Sequence, residues 1–467
     1  MKSEASMIGA SFVYDTRILT SPDFPYAPEN LGFMGIPGIE VTKNGRFYSV
    51  FYAGADGEGS GNFLLVHVSD DGEHFRPFCA VVPSAPGVRC FDAVPWIDPD
   101  GRLRLYWAQS YGLIDGRTGT WCAVMDDPDG DMPRFGAPRR VGNGIMMNKP
   151  LVTKGGAWLH PLAIWPGSVS PHDLPAERYC SVYSTTDGGE SFARIGCADA
   201  PRRGIDEHML YERADGTLVM LIRVGGGIGI AECSSTDGGV TWTYGTNANL
   251  GGPDSRFSVR RLQSGRLLLV IHKNFSGRNN LTAMLSDDDG RTWSSGLLLD
   301  ARSGVSYPDV CQTADGRIHI VYDYNRYTDR EILLASITEA DIDAGAIHAG
   351  SALCRVIAKA KDPSRLTDGA ANGERHCILK LADGSLLRIA PDCCFAGFGE
   401  GLGVSIGTPN GAVWRGYLQL DGRTGCRNPR VVEGGGRFEA IWERGGEVCR
   451  ASFTVRDILD CRISVTN

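Results

Sequence analysis

The chain has 467 residues, with 47 Lys and Arg against 55 Asp and Glu, a formal charge of −8. That acidic balance excludes a general binder of nucleic acid or acidic membrane, and 42% hydrophobic content excludes a disordered chain. No apolar run approaches the roughly 20 residues of a bilayer-spanning helix, while glycine, at 61 residues, is nearly twice the usual ~7% and implies many tight turns between short strands.

From the N-terminus, MKSEASMIGASFVYDTRILT carries Glu4 and Asp15 and has no h-region, so it does not read as a signal peptide. The 14 cysteines are scattered and form no C-x-x-C. Reduced thiols in a cytoplasm are therefore expected rather than a disulfide framework or a zinc site. SFVYDTRIL (11–19) reads as a strand able to complete the last sheet of the chain.

A turn of the form x-G-x-apolar then recurs at Gly45, Gly101, Gly156, Gly216, Gly265, Gly316, Gly384 and Gly436. Each copy joins two β-branched or aromatic runs, such as FYSVFYAG, LVMLIRV and IHIVYDY, as hairpins do. One such unit every ~40–50 residues is the period of a propeller blade. A second repeat follows the hairpins. STDGGVTW (235–242) and SDDDGRTW (286–293) share S-x-D-x-G-x-T-W, with looser copies in TTDGGESF (185–192), VSDDGEHF (68–75) and GTPNGAVW (407–414). The acids Asp70, Asp187, Asp237 and Asp288 read as turn caps: the carboxylate accepts backbone N–H groups and glycine takes the left-handed position.

These turns resemble the Asp boxes of the sialidase superfamily of β-propellers over roughly residues 30–345. The expected fold is all-β, with six sialidase-type blades in residues 1–362. DPSRLTDGAANGE (362–374) reads as a linker, and two further blade-like units fill 363–467. Counting repeats alone allows a single ring of eight. VCRASFTVRDILD (448–460) echoes LLASITEADIDAG (333–345), as though both end a blade.

The resemblance implies a site. In a sialidase the position of Tyr307 holds the nucleophile, Glu207 its partner acid, and Arg223 and Arg278 arginines that grip a carboxylate. A phenol suits a sugar whose anomeric carbon bears a carboxylate, because an anionic nucleophile would be repelled; a base must then take its proton. The general acid is expected on the loop AGADGEGSGN (53–62), at Asp56 or else Glu58, and Asp92 opens the second blade toward the sugar. One departure stands out. The family begins its first blade Arg-Ile-Pro, and this chain has Gly35-Ile36-Pro37. One lost carboxylate ligand is a loss of about 1.5–3 kcal/mol. Either Arg17 or Arg430 replaces it, or the substrate is not sialic acid.

Each residue also has a plain structural reading. Tyr307 precedes Pro308 and could be an extended, half-buried strand residue; Arg223 and Arg278 could be ordinary salt-bridge partners. Glu207 could be a rim acid, and Asp56 and Glu58 solvated turn residues. His160, His208 and His272 lack metal-ligand spacing and read as hydrogen-bonded core residues. NKPL (148–151) with Trp158 and Trp165 suggests either a sugar-stacking wall or core packing. No Walker loop occurs, so neither cofactor nor metal is expected, and the expected partner is a carbohydrate. Three functions remain open: a retaining exo-glycosidase on a terminal acidic sugar, a hydrolase or lyase on uronate or deoxy-sugar glycans, and a non-catalytic glycan- or protein-binding propeller.

Overall fold

The computed structural model describes residues 16–20, most of 31–360, and the strands and one helix between 377 and 459. Asp56, the 362–374 segment and most of the 407–414 turn lie outside the described residues. Among the described residues, eight antiparallel sheets follow one another along the chain. Seven of the hairpin glycines are described, with φ between 83° and 91°. At Gly216 nothing lies within 4 Å of where a Cβ would stand, so backbone conformation and not space requires glycine there.

The boxes work as capped turns. Ser235 Oγ donates to Asp237 (2.8 Å) and accepts the N–H of Gly239 (3.0 Å), and Asp237 accepts the N–H of Thr241 (2.9 Å). Asp187 and Asp288 repeat this arrangement with Ser191 and Thr292. The first box is one residue shorter, which moves the role from Asp70 to Asp71. Asp71 accepts the N–H groups of Glu73 and His74 (both 2.8 Å), whereas Asp70 pairs with Arg46 and Arg76.

The innermost strands of the first six sheets begin at Phe33, Val88, Leu151, Met209, Ser258 and Val305. Successive sheets share apolar cores, and the first and sixth are direct neighbours. Met34, Ile39, Phe47 and Phe51 pack with Cys311, Val321, Ile332 and Leu334. The N-terminal strand Arg17–Thr20 pairs with Arg76–Val82, in the register Arg17↔Val82, as a fifth, outermost strand of the first sheet. It does not complete the last sheet, which has three described strands.

Beyond residue 377, a four-stranded and a three-stranded sheet share a core of their own, including Leu387, Val404, Phe438 and Trp442. The echo between the two blade ends is a shared helix cap. Thr338 N–H donates to Asp341 and Thr454 N–H to Asp457, both at 2.7 Å. Among the described residues no helix is long and apolar enough to cross a membrane.

Because Gly216 has open space around it, Gly216→Ala isolates the backbone term. Forcing alanine into the left-handed region should lower the unfolding free energy by about 1–2 kcal/mol, read as a shifted urea midpoint with an unchanged slope.

Candidate functional site

The site begins with three kinks. The inner strands of the first, second and sixth sheets slip register between Gly35 and Gly38, Phe91 and Val94, and Ser306 and Asp309. Inside each slip one residue is left-handed: Ile36 (φ 56°), Asp92 (φ 51°) and Tyr307 (φ 56°). A bulge re-aims its side chain, and a non-glycine residue held this way costs about 1–3 kcal/mol. The strain is sharper at Ile36 and Tyr307, since each precedes a proline and such residues favour extended backbone. The surroundings hold it in place. Asp323 accepts the Ile36 N–H (2.8 Å) and the Ser306 hydroxyl (2.6 Å), fastening two kinks with one carboxylate. Tyr307 is thus neither extended nor half-buried; it is left-handed and 6% exposed.

Tyr307 Oη donates to Glu207 Oε1 at 2.9 Å. The same oxygen accepts from Arg223 Nη1 at 2.6 Å, and Arg223 Nη1 lies 3.3 Å from the phenol oxygen. Glu207, 2% exposed, is no rim acid, and its Oε2 is buried without a hydrogen-bond partner among the described residues. Burial raises the Tyr307 phenol well above its ordinary value, Glu207 adds to the rise, and Arg223, Arg278 and Arg326 oppose it. Burial works against the Arg223 charge, but Glu207 and Tyr307 outweigh it and hold the guanidinium firmly protonated.

Arg278 reaches the same phenol from another loop. Its guanidinium stands 5.2 Å from the Tyr307 ring centre, and its Nη2 donates to the Asp254 carbonyl (2.8 Å), as does that of Arg223. Glu58 lies on the loop of the first sheet, where it accepts from Tyr52 Oη (2.6 Å) and from Arg326 Nη1 (3.3 Å). Asp92 is 3% exposed, and burial pushes its carboxyl up to about 8; Arg89 opposes the shift, while Glu58 and Glu207 add to it. The structure therefore gathers Tyr307, Glu207, Arg223, Arg278, Glu58 and Asp92 into one electrostatic cluster.

Sequence reasoning missed Arg326. Its guanidinium lies 4.9 Å from the Tyr307 ring centre, delivered from the loop after the strand Ile318–Tyr324 of the sixth sheet. It also missed Arg89, buried with its guanidinium 3.7 Å over the Phe91 ring. Neither residue sits in a repeated motif, so spacing gave no signal. Arg17 is exposed on the outermost strand of the first sheet, four strands from the kinked one, and does not reach the cluster. Arg430 is in the three-stranded C-terminal sheet, paired with Ile441. All four residues of NKPL line a cavity at the inner strands, where Asn148 engages Arg256 and Lys149 engages Glu40 and Asp309. Trp158 packs edge-on to Trp96 in the core. His208 bonds the Ser181 carbonyl (2.9 Å), His160 the Tyr106 hydroxyl (3.1 Å) and His272 the Asn279 carbonyl (2.8 Å). A cavity of ≈ 400 Å3 opens at the later residues of the inner strands, lined by Trp96, Lys149, Met209 and Arg260, and does not include Tyr307.

A BNR repeat-like domain pattern matches residues 46–320, more than half of the chain. The chain belongs to the BNR repeat-like family. No curated protein matches this BNR-repeat chain in sequence. Among solved structures, the Hadza microbial sialidase Hz136 aligns at 17% identity over 68% of this chain and 69% of its own, with a TM-score of 0.54. A protein of unknown function from Dyadobacter fermentans aligns at 18% identity over 66% and 95%, TM-score 0.51. The leech intramolecular trans-sialidase aligns at 14% over 72% of each chain, TM-score 0.51. At these identities the likeness is one of fold: a sialidase-type β-propeller.

The buried carboxyl of Asp92 makes a prediction that needs no substrate. Folded, it keeps its proton up to about pH 8; unfolded, it ionises near its ordinary value of 3.8. Between those values the native state holds the extra proton, so this group's contribution to stability falls as pH rises. The melting temperature of Asp92→Asn should therefore gain on that of the natural chain across this window and hold steady above it. Two curves that stay parallel from pH 4 to pH 8 contradict the assignment.

Proposed function

We propose that this protein is a sialidase-like retaining exo-glycosidase that releases a terminal, carboxylate-bearing sugar from a glycan. The reading is carried by one observation: a buried phenol donates to a buried carboxylate, 2.9 Å away, beneath guanidinium groups. In this reading Tyr307 attacks the anomeric carbon as Glu207 takes its proton. The phenol's raised pKa makes prior ionisation unfavourable, so proton transfer and bond formation proceed together. The arginines orient the sugar carboxylate through paired charge-assisted hydrogen bonds. They also favour the phenolate-like charge that the leaving enzyme oxygen carries when water later resolves the covalent intermediate.

The acid that protonates the leaving oxygen is drawn from the first sheet's loop. Glu58 is engaged by Tyr52 and Arg326, an arrangement that suits holding Arg326 better than donating a proton. On residue type, Asp56 is then the preferred acid. Asp92, protonated at neutral pH, supplies a hydrogen-bond donor toward the sugar.

Tyr307→Phe and Glu207→Gln, assayed on an aryl α-ketoside of N-acetylneuraminic acid, should each lower kcat by at least about 100-fold, with folding unchanged by circular dichroism. Near-natural turnover in both variants overturns the reading. A product that absorbs in the ultraviolet as an unsaturated sugar favours the uronate lyase alternative instead.

A further inference from the structure

Gly35 and Arg326 are 291 positions apart in sequence and occupy one another's space. A Cβ built on Gly35 would collide with Cγ and Cδ of Arg326 and would lie 3.0 Å from Asp323 Oδ2. The stem of Arg326 thus fills the volume in which a side chain at position 35 would stand. The backbone secures the arrangement, because the Arg326 carbonyl accepts the Met34 N–H at 3.1 Å. The arginine's own charge is only partly engaged. Its hydrogen bond to Glu58 is long, 3.3 Å, and Asp323 Oδ2 is 3.7 Å from Nε, beyond hydrogen-bond reach. Its side chain is 14% exposed and crosses toward the same phenol that Arg223 and Arg278 approach. Three guanidinium groups therefore converge on one ring, and among the described residues the five donors of Arg326 make one side-chain hydrogen bond, to Glu58.

We propose that Arg326 is a carboxylate-binding residue of this pocket and that Gly35 is the vacancy that admits it, the two acting as a matched pair across the junction of the first and sixth sheets. The inference rests on the reading above that the pocket takes a carboxylate-bearing sugar. It adds which residue grips that group and why position 35 carries no side chain. A guanidinium fork can bind a carboxylate through two parallel hydrogen bonds, and the under-used donors of Arg326 are placed to do so beside Arg278.

The test compares binding of 2,3-didehydro-2-deoxy-N-acetylneuraminic acid with that of its methyl ester, by calorimetry on the full chain. Arg326→Ala should weaken binding of the acid by about 10–100-fold and leave the ester unchanged. Gly35→Ala, which adds only a methyl group, should produce a similar selective loss by evicting the arginine. Gly35→Arg in the Arg326→Ala background should recover at least tenfold. If Arg326→Ala proves unstable by thermal melt, Arg326→Lys keeps the charge without the fork and should fall between the two. Equal losses for acid and ester, or no loss for either, overturn the proposal. Arg278→Ala separates the two levels: a selective acid loss there but not in the Arg326 variants leaves the pocket reading standing and removes Arg326 from it. A natural chain that binds neither the acid nor the ester removes both.

Discussion

A lysine ammonium shared by two carboxylates sits on the axis of the ring, and the mouth of the propeller is positioned from it. Lys149, from the third sheet, lies 3.3 Å from Glu40 of the first and 3.0 Å from Asp309 of the sixth, and both acids are almost wholly buried. Buried charges cost several kcal/mol each to desolvate and recover it only in good geometry, so the hub fixes how far apart these sheets stand. Arg256 extends it, donating to Asn148 (2.8 Å) and to the Pro37 carbonyl (3.3 Å). Asn148 in turn donates to the carbonyls of Glu207 (3.3 Å) and His208 (2.8 Å). Pro37 follows the kink at Ile36, and Asp309 lies two residues after Tyr307. The hub therefore sets the backbone of the phenol, of its partner acid and of the strand bearing Gly35.

The periodic parts of this architecture were legible in the sequence because they are local. A glycine in the left-handed region and a carboxylate that caps its own turn need nothing beyond eight neighbouring residues, so they repeat visibly. Even there, one deleted residue in VSDDGEHF moved the capping role from Asp70 to Asp71. Tyr307, Glu207, Arg223 and Arg278 were legible through the resemblance of their order to that of the sialidase family, and the chain does bring them together. What stayed hidden depends on long-range closure. Arg326 acts beside a strand that begins 293 residues earlier, at Phe33, and nothing in YDYNRYTD marks it. The left-handed backbone at Tyr307 was hidden for a similar reason. The following proline argues for extended structure, and only the tertiary hold of Asp323 on Ser306 and Ile36 overrides it.

The cluster also shows how one fold gives neighbouring acids different surroundings. Asp92 is buried without an ion pair among the described residues and keeps its proton, up to about pH 8. Glu207 receives hydrogen bonds from Tyr307 and Arg223 on a single oxygen, which leaves the second oxygen open to accept. The two carboxyls thus differ in their surroundings: burial governs Asp92, while two donors meet on one oxygen of Glu207.

The first and sixth sheets share no strand. Their junction is held by side-chain packing and by single bonds such as Met34 to Arg326, Ile36 to Asp323 and Ile39 to Asp309. Tyr307 and Arg326 stand on one bank of that seam, and Tyr52 and Glu58 on the other. A ligand that bound across this seam in the folded ring alone would act as one more clasp on it, so binding and the integrity of the junction would be thermodynamically linked.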